Sequence, residues 1–184
     1  MQLPLFYDFN DDKVSHIISA VNKFSAENGT LWEDATEEHW DDIRDIRNKN
    51  SQFFDNSDQI SKEKHWDFMR KYHANYYVAT QKGKCVGFIG HVGKNFRLGT
   101  CRKGSGIAKF MVDTWIQVQG QEFEYFVLRS NPRVIAFSYK FGYAPSKKSW
   151  EAGEDPVRLL RMSKNQGKYI DVRGILGTKI RSKL

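Results

Sequence analysis

Cysteine is scarce in this 184-residue chain, which carries only Cys85 and Cys101 and no CxxC pair. With no partner cysteine or histidine at ligand spacing, neither a zinc site nor a disulfide framework is supported, so no metal is expected. No apolar run approaches the roughly 20 residues that a membrane span requires. The opening residues, MQLPLFYDFNDD, lack the basic start and apolar core of a secretory signal. The expected location is therefore the cytoplasm, with no membrane partner. There is no internal repeat and no low-complexity stretch.

What is present fits one well-buried globular domain. Hydrophobic residues make up 40% of the chain, aromatics 14% and charged residues 28%, values far from those of disordered or collagen-like sequences. The net charge of +7 is unevenly placed. Residues 163–184 hold Lys164, Lys168, Arg173, Lys179, Arg181 and Lys183 against the single acid Asp171, most of the excess. Such a tail reads first as a solvated extension, and second as a contact for nucleic acid or another polyanion. Its one aromatic, Tyr169, gives little of the stacking pattern of a single-strand binder.

Hydrophobic spacing orders the rest. In residues 1–28, read as an N-terminal extension, Val14, Ile17, Ile18, Val21 and Phe24 predict a helix. A short strand over 29–33 follows. Thr36 is placed to cap a helix to about Asn48, and Ser61 a second one to about His73, with a polar loop over 49–58 between them. Residues 76–80, 84–92 and 96–101 read as strands joined by tight turns, and Gly87 and Gly90 within the second predict close backbone approach. Ile107, Phe110, Met111, Thr114, Trp115 and Val118 mark the clearest amphipathic helix, ended by Gly120. A strand over 122–128, a helix framed by Asn131, Pro132 and Gly142, and a last strand over 156–162 complete the chain. The order β-α-α-β-β-β-α-β-α-β predicts an α/β (α+β) fold, a mixed, mostly antiparallel sheet with helices on both faces.

Between a strand and that clearest helix lies TCRKGSGIAK, residues 100–109, with Gly104, Ser105, Gly106 and Ala108 all small. A helix N-terminus presents N–H groups without intrahelical acceptors and a partial positive charge. Free of side chains, those groups can close on a pyrophosphate, with Arg102, Lys103 and Lys109 adding charge. The run matches neither GxxxxGK[ST] nor GxGxxG, which points to a carrier other than a nucleoside triphosphate or a dinucleotide. A tight turn that simply needs glycine is the bland reading of such a loop. Cys101 beside it could act as a nucleophile with His91 as base, or be a packed small residue.

Two segments carry a specific resemblance. Residues 103–108 (KGSGIA) resemble the Q/R-x-x-G-x-G/A acetyl-CoA signature of the GNAT (GCN5-related) N-acetyltransferase superfamily, with Gly106 and Ala108 matching and Lys103 in place of Gln or Arg. Residues 131–143 (NPRVIAFSYKFGY) resemble that superfamily's N-x-x-A-x-x-x-Y-x-K-x-G-F segment through Asn131, Ala136, Tyr139, Lys140, Gly142 and Tyr143. In element order the resemblance covers residues 30–162, so 29–162 reads as the acyltransferase domain and 163–184 as a basic extension.

The resemblance implies direct transfer of an acetyl or other acyl group from acyl-CoA to an amine in a ternary complex. It places the pantetheine arm along Leu98, Gly99, Thr100 and Cys101, and the pyrophosphate on Arg102, Lys103, Gly104, Ser105, Gly106, Ile107, Ala108 and Lys109. A backbone N–H at Leu98 or Gly99 would polarise the thioester carbonyl. Tyr139 would protonate the leaving thiolate, and Asn131, Ala136 and Lys140 would complete the cofactor groove. His91 is the best candidate base, with a water relay as the alternative. Arg47 and Asn48 resemble the R-N of a GNAT subset and would line a pocket for a small-molecule or protein amine, in a monomer or homodimer. Arg47 pairing with a helix acid such as Asp41 is the competing reading. A basic nucleic-acid-binding module, or a CoA-binding regulator without turnover, is the alternative function.

Overall fold

The computed structural model describes residues 11–54, 56–93, 95–102, 104–119, 125–162 and 165–171. The predicted strand start at 122–124, the terminator Gly120, Lys103 and most of the basic tail lie outside them. Two compact units result, residues 11–51 with 58–119 and residues 52–57 with 125–171.

The first unit is built on a four-stranded antiparallel sheet in sequence order. It comprises β1 (Thr30–Asp34), β2 (Tyr76–Gln81), β3 (Lys84–Val92) and β4 (Asn95–Thr100). Its helices are α1 (Asp11–Asn28), α2 (Trp40–Lys49), α3 (Lys62–Tyr72) and α4 (Ile107–Gln119). Of the two expected caps, Ser61 forms as predicted at α3, whereas the N-cap position of α2 is taken by His39 and Thr36 stands one short turn earlier. Thr36 precedes a 3₁₀ turn, Glu37–His39, that leads into α2. Ser61 accepts a hydrogen bond from the Lys64 N–H, 3.4 Å, at the start of α3.

The glycines of this sheet show which helix lies on which face. A Cβ at Gly87 would meet Met111 Sδ at 2.8 Å and Ile107 at 3.1 Å, so α4 closes on the backbone of β3 there. One residue on, Phe88 is paired with Gly99. A Cβ at Gly99 would meet Phe88 at 2.5 Å and Ile46 at 3.1 Å, placing α2 on the opposite face. Gly90, opposite Tyr76, leaves room for that ring, so both glycines of β3 do mark close approach. Arg97, the partner of Gly90, lies over the ring of Phe68 of α3. The sheet thus has α2 and α3 on one side and α4 on the other, with Ile43, Met69, Ile89 and Trp115 fully buried in the unit's core.

The second unit holds a three-stranded antiparallel sheet in the order β5 (Tyr125–Val127), β7 (Val157–Arg161), β6 (Tyr143–Pro145), with α5 (Pro132–Lys140) and α6 (Lys147–Glu151). The sheet expected as one central piece is thus found as a four-stranded and a three-stranded part, each antiparallel throughout. Strand β6 and helix α6 have no counterpart in the sequence reading, because three and five residues are too short to show a period. Arg129 organises the approach to β7. Its N–H donates to Asp155 Oδ1 (3.0 Å), its Nε to the Glu154 carbonyl (2.7 Å), and its guanidinium lies 4.2 Å from the Trp150 ring centroid. The first part of the basic extension returns to this unit, where Ile170 N–H donates to the Pro145 carbonyl at 2.8 Å. Among the described residues no helix is long and apolar enough to cross a membrane.

One buried group gives the first unit a pH dependence. His65 of α3 is only 5% exposed and its Nε2 has no hydrogen-bond partner among the described residues. Burial, its largest influence, pushes its pKa below the usual 6.5, aided by Arg44 and Arg47 and opposed by the Trp40 backbone and Asp41. A depressed folded-state value means the unfolded chain binds the proton more readily. The stabilisation is complete above about pH 6.5 and is lost as the pH falls through the folded-state value. Urea melts should show falling stability below pH 6.5, and His65→Leu should flatten that limb; an unchanged slope would assign it to another group.

Candidate functional site

The chain leaves the first sheet at one identifiable rung. Cys101 N–H donates to the Val86 carbonyl at 2.8 Å, continuing the β3–β4 ladder one residue past the strand. In an antiparallel pair the backbone groups of alternate residues point to alternate sides. Since the register is continuous from Gly87–Thr100 to Val92–Asn95, Gly99 also faces β3. Leu98 and Thr100 therefore turn their N–H and C=O groups outward, and β4 is the last strand of this sheet. Of the two donors named in the sequence, Leu98 turns its N–H away from β3 and Gly99 turns its N–H toward it.

One of these outward groups is already engaged. Asn50 Nδ2 donates to the Thr100 carbonyl (3.2 Å) and to the Ile46 carbonyl (2.8 Å), tying the end of α2 to the end of β4. In sequence, the one signal for this tie is an Asn just past a helix terminus.

After Cys101 the backbone turns sharply. Gly104 has φ +75° and Gly106 has φ +80°, left-handed values that cost an L-residue with a side chain about 1–2 kcal/mol. Ser105 Oγ donates to the Arg102 carbonyl at 2.9 Å and lies 3.5 Å from Ile107 N. Phe110 N–H reaches back to the Gly106 carbonyl at 2.9 Å, so Gly106 is the residue from which α4 springs. The N–H groups of Ile107, Ala108 and Lys109 occupy the first turn, where no intrahelical acceptor exists. Both glycines are thus suited to the turn, and the turn delivers a helix N-terminus a few residues after β4 ends.

The charged side chains are less uniformly disposed. Arg102 is exposed. Lys109 forms an ion pair with Asp113, which is 4% exposed, so that its charge is directed along α4. Burial raises the Asp113 pKa and the Lys109 ammonium opposes the rise. Cys101 counts as exposed, yet desolvation of its sulfur raises its thiol pKa; burial pushes the Cys85 thiol up to about 12. Neither thiol is activated toward nucleophilic attack. Among the described residues no cluster of three metal-ligating side chains occurs.

His91 pairs with Phe96 at the opposite end of β4. Its Nδ1 lies 2.7 Å from the Gly93 carbonyl, and its ring is 6.2 Å from that of Trp115. A carbonyl only accepts, so Nδ1 carries the proton and Nε2 is the basic nitrogen. The residue lies on the α4 face of the sheet, two positions along β3 from Ile89, the partner of Leu98.

Arg47 and Asn48 hold the chain between α2 and α3. Arg47 is 8% exposed and donates from Nη1 to the Asp58 carbonyl and to Asn48 Oδ1, the latter at 3.2 Å. Asp41, suggested as its partner, instead takes Lys62 (2.8 Å), Trp66 Nε1 (2.9 Å) and Arg44 (3.7 Å). Asn48 serves Ile60 with both ends of its amide, donating to its carbonyl at 3.0 Å and accepting from its N–H at 2.9 Å. An open concavity of about 630 Å³ adjoins these residues, lined by Arg44, Asp45, Asn48, Lys49, Ile60 and Lys62 among others. Asn48 reaches it; Arg47 is not among its lining residues.

In the second unit Asn131 is the N-cap of α5, accepting from the Val134 N–H at 3.4 Å, and is 7% exposed. Ala136 is buried and Tyr139 half-buried on the same helix, while Lys140 is described by its backbone alone.

Solved structures share this architecture. They include Ard1 from Thermoplasma volcanium (12% identical over 71% of this chain and 95% of that one, TM-score 0.56). A GNAT-family acetyltransferase from Streptococcus pneumoniae matches with 14% identity, 71% and 96% coverage, and a TM-score of 0.51. A chain of the NatC complex bound to Gag peptide and CoA matches at 16%, 71% and 96%, with a TM-score of 0.52. The fold is that of the GNAT N-acetyltransferases. No family model and no curated protein matches the sequence.

Within this GNAT fold the two loop glycines are separable by experiment. Among the described residues a Cβ at Gly104 would meet nothing within 4 Å, so Gly104→Ala should cost only backbone strain, about 1 kcal/mol. At Gly106 the Cβ would also press on a ring at 2.7 Å, and Gly106→Ala should cost about twice as much in urea unfolding. Asn48→Ala, which strands both backbone groups of Ile60, should lose about 1–3 kcal/mol; a neutral result would show that water replaces the amide.

Proposed function

We propose that the chain transfers an acyl group from acyl-CoA to an amine. The observation that carries this reading is the continuous path from the outward edge of β4, through two left-handed glycines, to the N-terminus of α4. An arm with peptide-like amides suits the N–H and C=O of Leu98 and the N–H of Thr100, as an added strand would. A pyrophosphate suits the first-turn N–H groups of Ile107, Ala108 and Lys109, with Arg102 and Lys103 contributing charge. The GNAT fold, shared with a chain crystallised with CoA, favours that carrier over a nucleotide.

In the reaction the amine nitrogen attacks the thioester carbonyl carbon, the C–S bond breaks, and the products are an amide and free CoA. Leu98 N–H donates to the carbonyl oxygen as negative charge gathers there. The departing thiolate takes its proton from the Tyr139 hydroxyl, and the amine loses one to His91 Nε2 or to a water chain. Asn131 holds the start of the helix that carries Tyr139. The concavity between α2 and α3 is the acceptor side of this reading.

Calorimetric titration tests the carrier. Acetyl-CoA and desulfo-CoA should bind and NAD should not; a well-folded sample with no CoA affinity would sink the proposal. Turnover is followed as thiol release from acetyl-CoA with a panel of amines. Tyr139→Phe should lower it about 10²-fold or more while CoA affinity stays the same. Equal turnover in the variant would remove Tyr139 from the chemistry.

A further inference from the structure

The space left open by Gly106 is filled from within the chain. A Cβ built on Gly106 would lie 2.7 Å from Cε2 of Phe24, with two further atoms of that ring at 3.5 Å. The same ring stacks on Phe110, one turn into α4, at 5.3 Å between centroids and 28° between planes. Phe24 belongs to α1, in the segment whose sequence reads as a helical N-terminal extension.

Local contacts hold it there. Ser25 Oγ donates to the Thr30 carbonyl at 2.6 Å, fixing the end of α1 to the start of β1. Asn28 Nδ2 donates to the Phe24 carbonyl at 3.0 Å, closing the last turn. Thus α1 bridges the far edge of the sheet and the first turn of α4.

We infer that Phe24 is a positioning residue for the anion cradle, fixing Gly106 so that the first-turn N–H groups of α4 are aligned before the pyrophosphate arrives. This inference rests on the CoA reading given above. The cradle has few other restraints among the described residues. Cys101 N–H is tied to Val86 at its start, and Ser105 Oγ to the Arg102 carbonyl within it. Nothing lies within 4 Å of a Cβ at Gly104. Glycine is the residue with most backbone freedom to lose, and two of them in one turn make a loop that is costly to order. A ring packed on the second glycine removes part of that freedom in advance, so that less binding energy is lost in ordering the loop.

The test uses the full chain with Phe24→Leu, which keeps an apolar side chain and a folded α1, beside Phe24→Ala. Phe24→Leu should weaken CoA about fivefold and Phe24→Ala about tenfold or more, by calorimetry. Amide hydrogen exchange without ligand should quicken at residues 104–108 in Phe24→Leu while the β3–β4 amides hold. Gly106→Ala should cost more CoA affinity in the wild-type background than in the Phe24→Leu background, because the smaller side chain relieves the clash. Wild-type CoA affinity together with unchanged affinity and unchanged loop exchange in Phe24→Leu would overturn the inference and leave Phe24 as packing alone. Absence of CoA affinity in the wild type would instead sink the carrier reading itself.

Discussion

A single backbone hydrogen bond, Cys101 N–H to the Val86 carbonyl, sets the geometry on which the rest of the candidate site depends. It is the last rung of the β3–β4 ladder, so it fixes where the strand ends and the turn begins. Through the twofold alternation of a strand it also decides that Leu98 and Thr100, not Gly99, present their polar groups outward. A shift of one residue would reverse that choice and bring the glycines of the following turn to the wrong places. The packing around β3 holds the register against such a shift. Gly87 admits α4 on one face, while Phe88 and Gly99 interlock with Ile46 on the other, so a slip would bury a side chain where only glycine fits.

Legibility in the sequence followed length and periodicity. Helix α4, with apolar residues at steps of three and four, and strand β3, with its two internal glycines, stand in the structure much as their patterns imply. So do the Ser61 cap and the Asn131–Pro132 start of α5. Strand β6 and helix α6 escaped because each is too short to display the period of its own pattern. The helix of the first segment was visible, yet its importance was not. Nothing in the spacing of Val21 and Phe24 says that one ring will lie against a glycine so far along the chain.

The site residues divide along a similar line. Backbone geometry could be read from a motif, since a strand-turn-helix with glycines at fixed offsets leaves few alternatives. Side-chain roles could not, because partners are chosen in three dimensions. Lys109 was read as a cation for an anion and is found with Asp113. Arg47 and Asn48 were read as pocket walls, and both spend hydrogen bonds on the main chain at Asp58 and Ile60. Asn48 still lines the concavity beside Arg44, Lys49 and Lys62, whereas Arg47 does not.

The ring of Phe24 against Gly106 separates two properties that usually share residues. On the acyl-CoA reading proposed above, chemistry and cofactor recognition belong to the cradle and the strand before it, where the glycines meet a left-handed backbone or a packed face. Loop order is set in part by a helix that touches no reacting atom. If Phe24 positions the cradle as inferred above, sequence drift in that helix would raise or lower cofactor affinity in small steps while the cradle stays constant. The appended helix would then be a dial on this chain's loop order, set apart from the residues proposed to carry the chemistry.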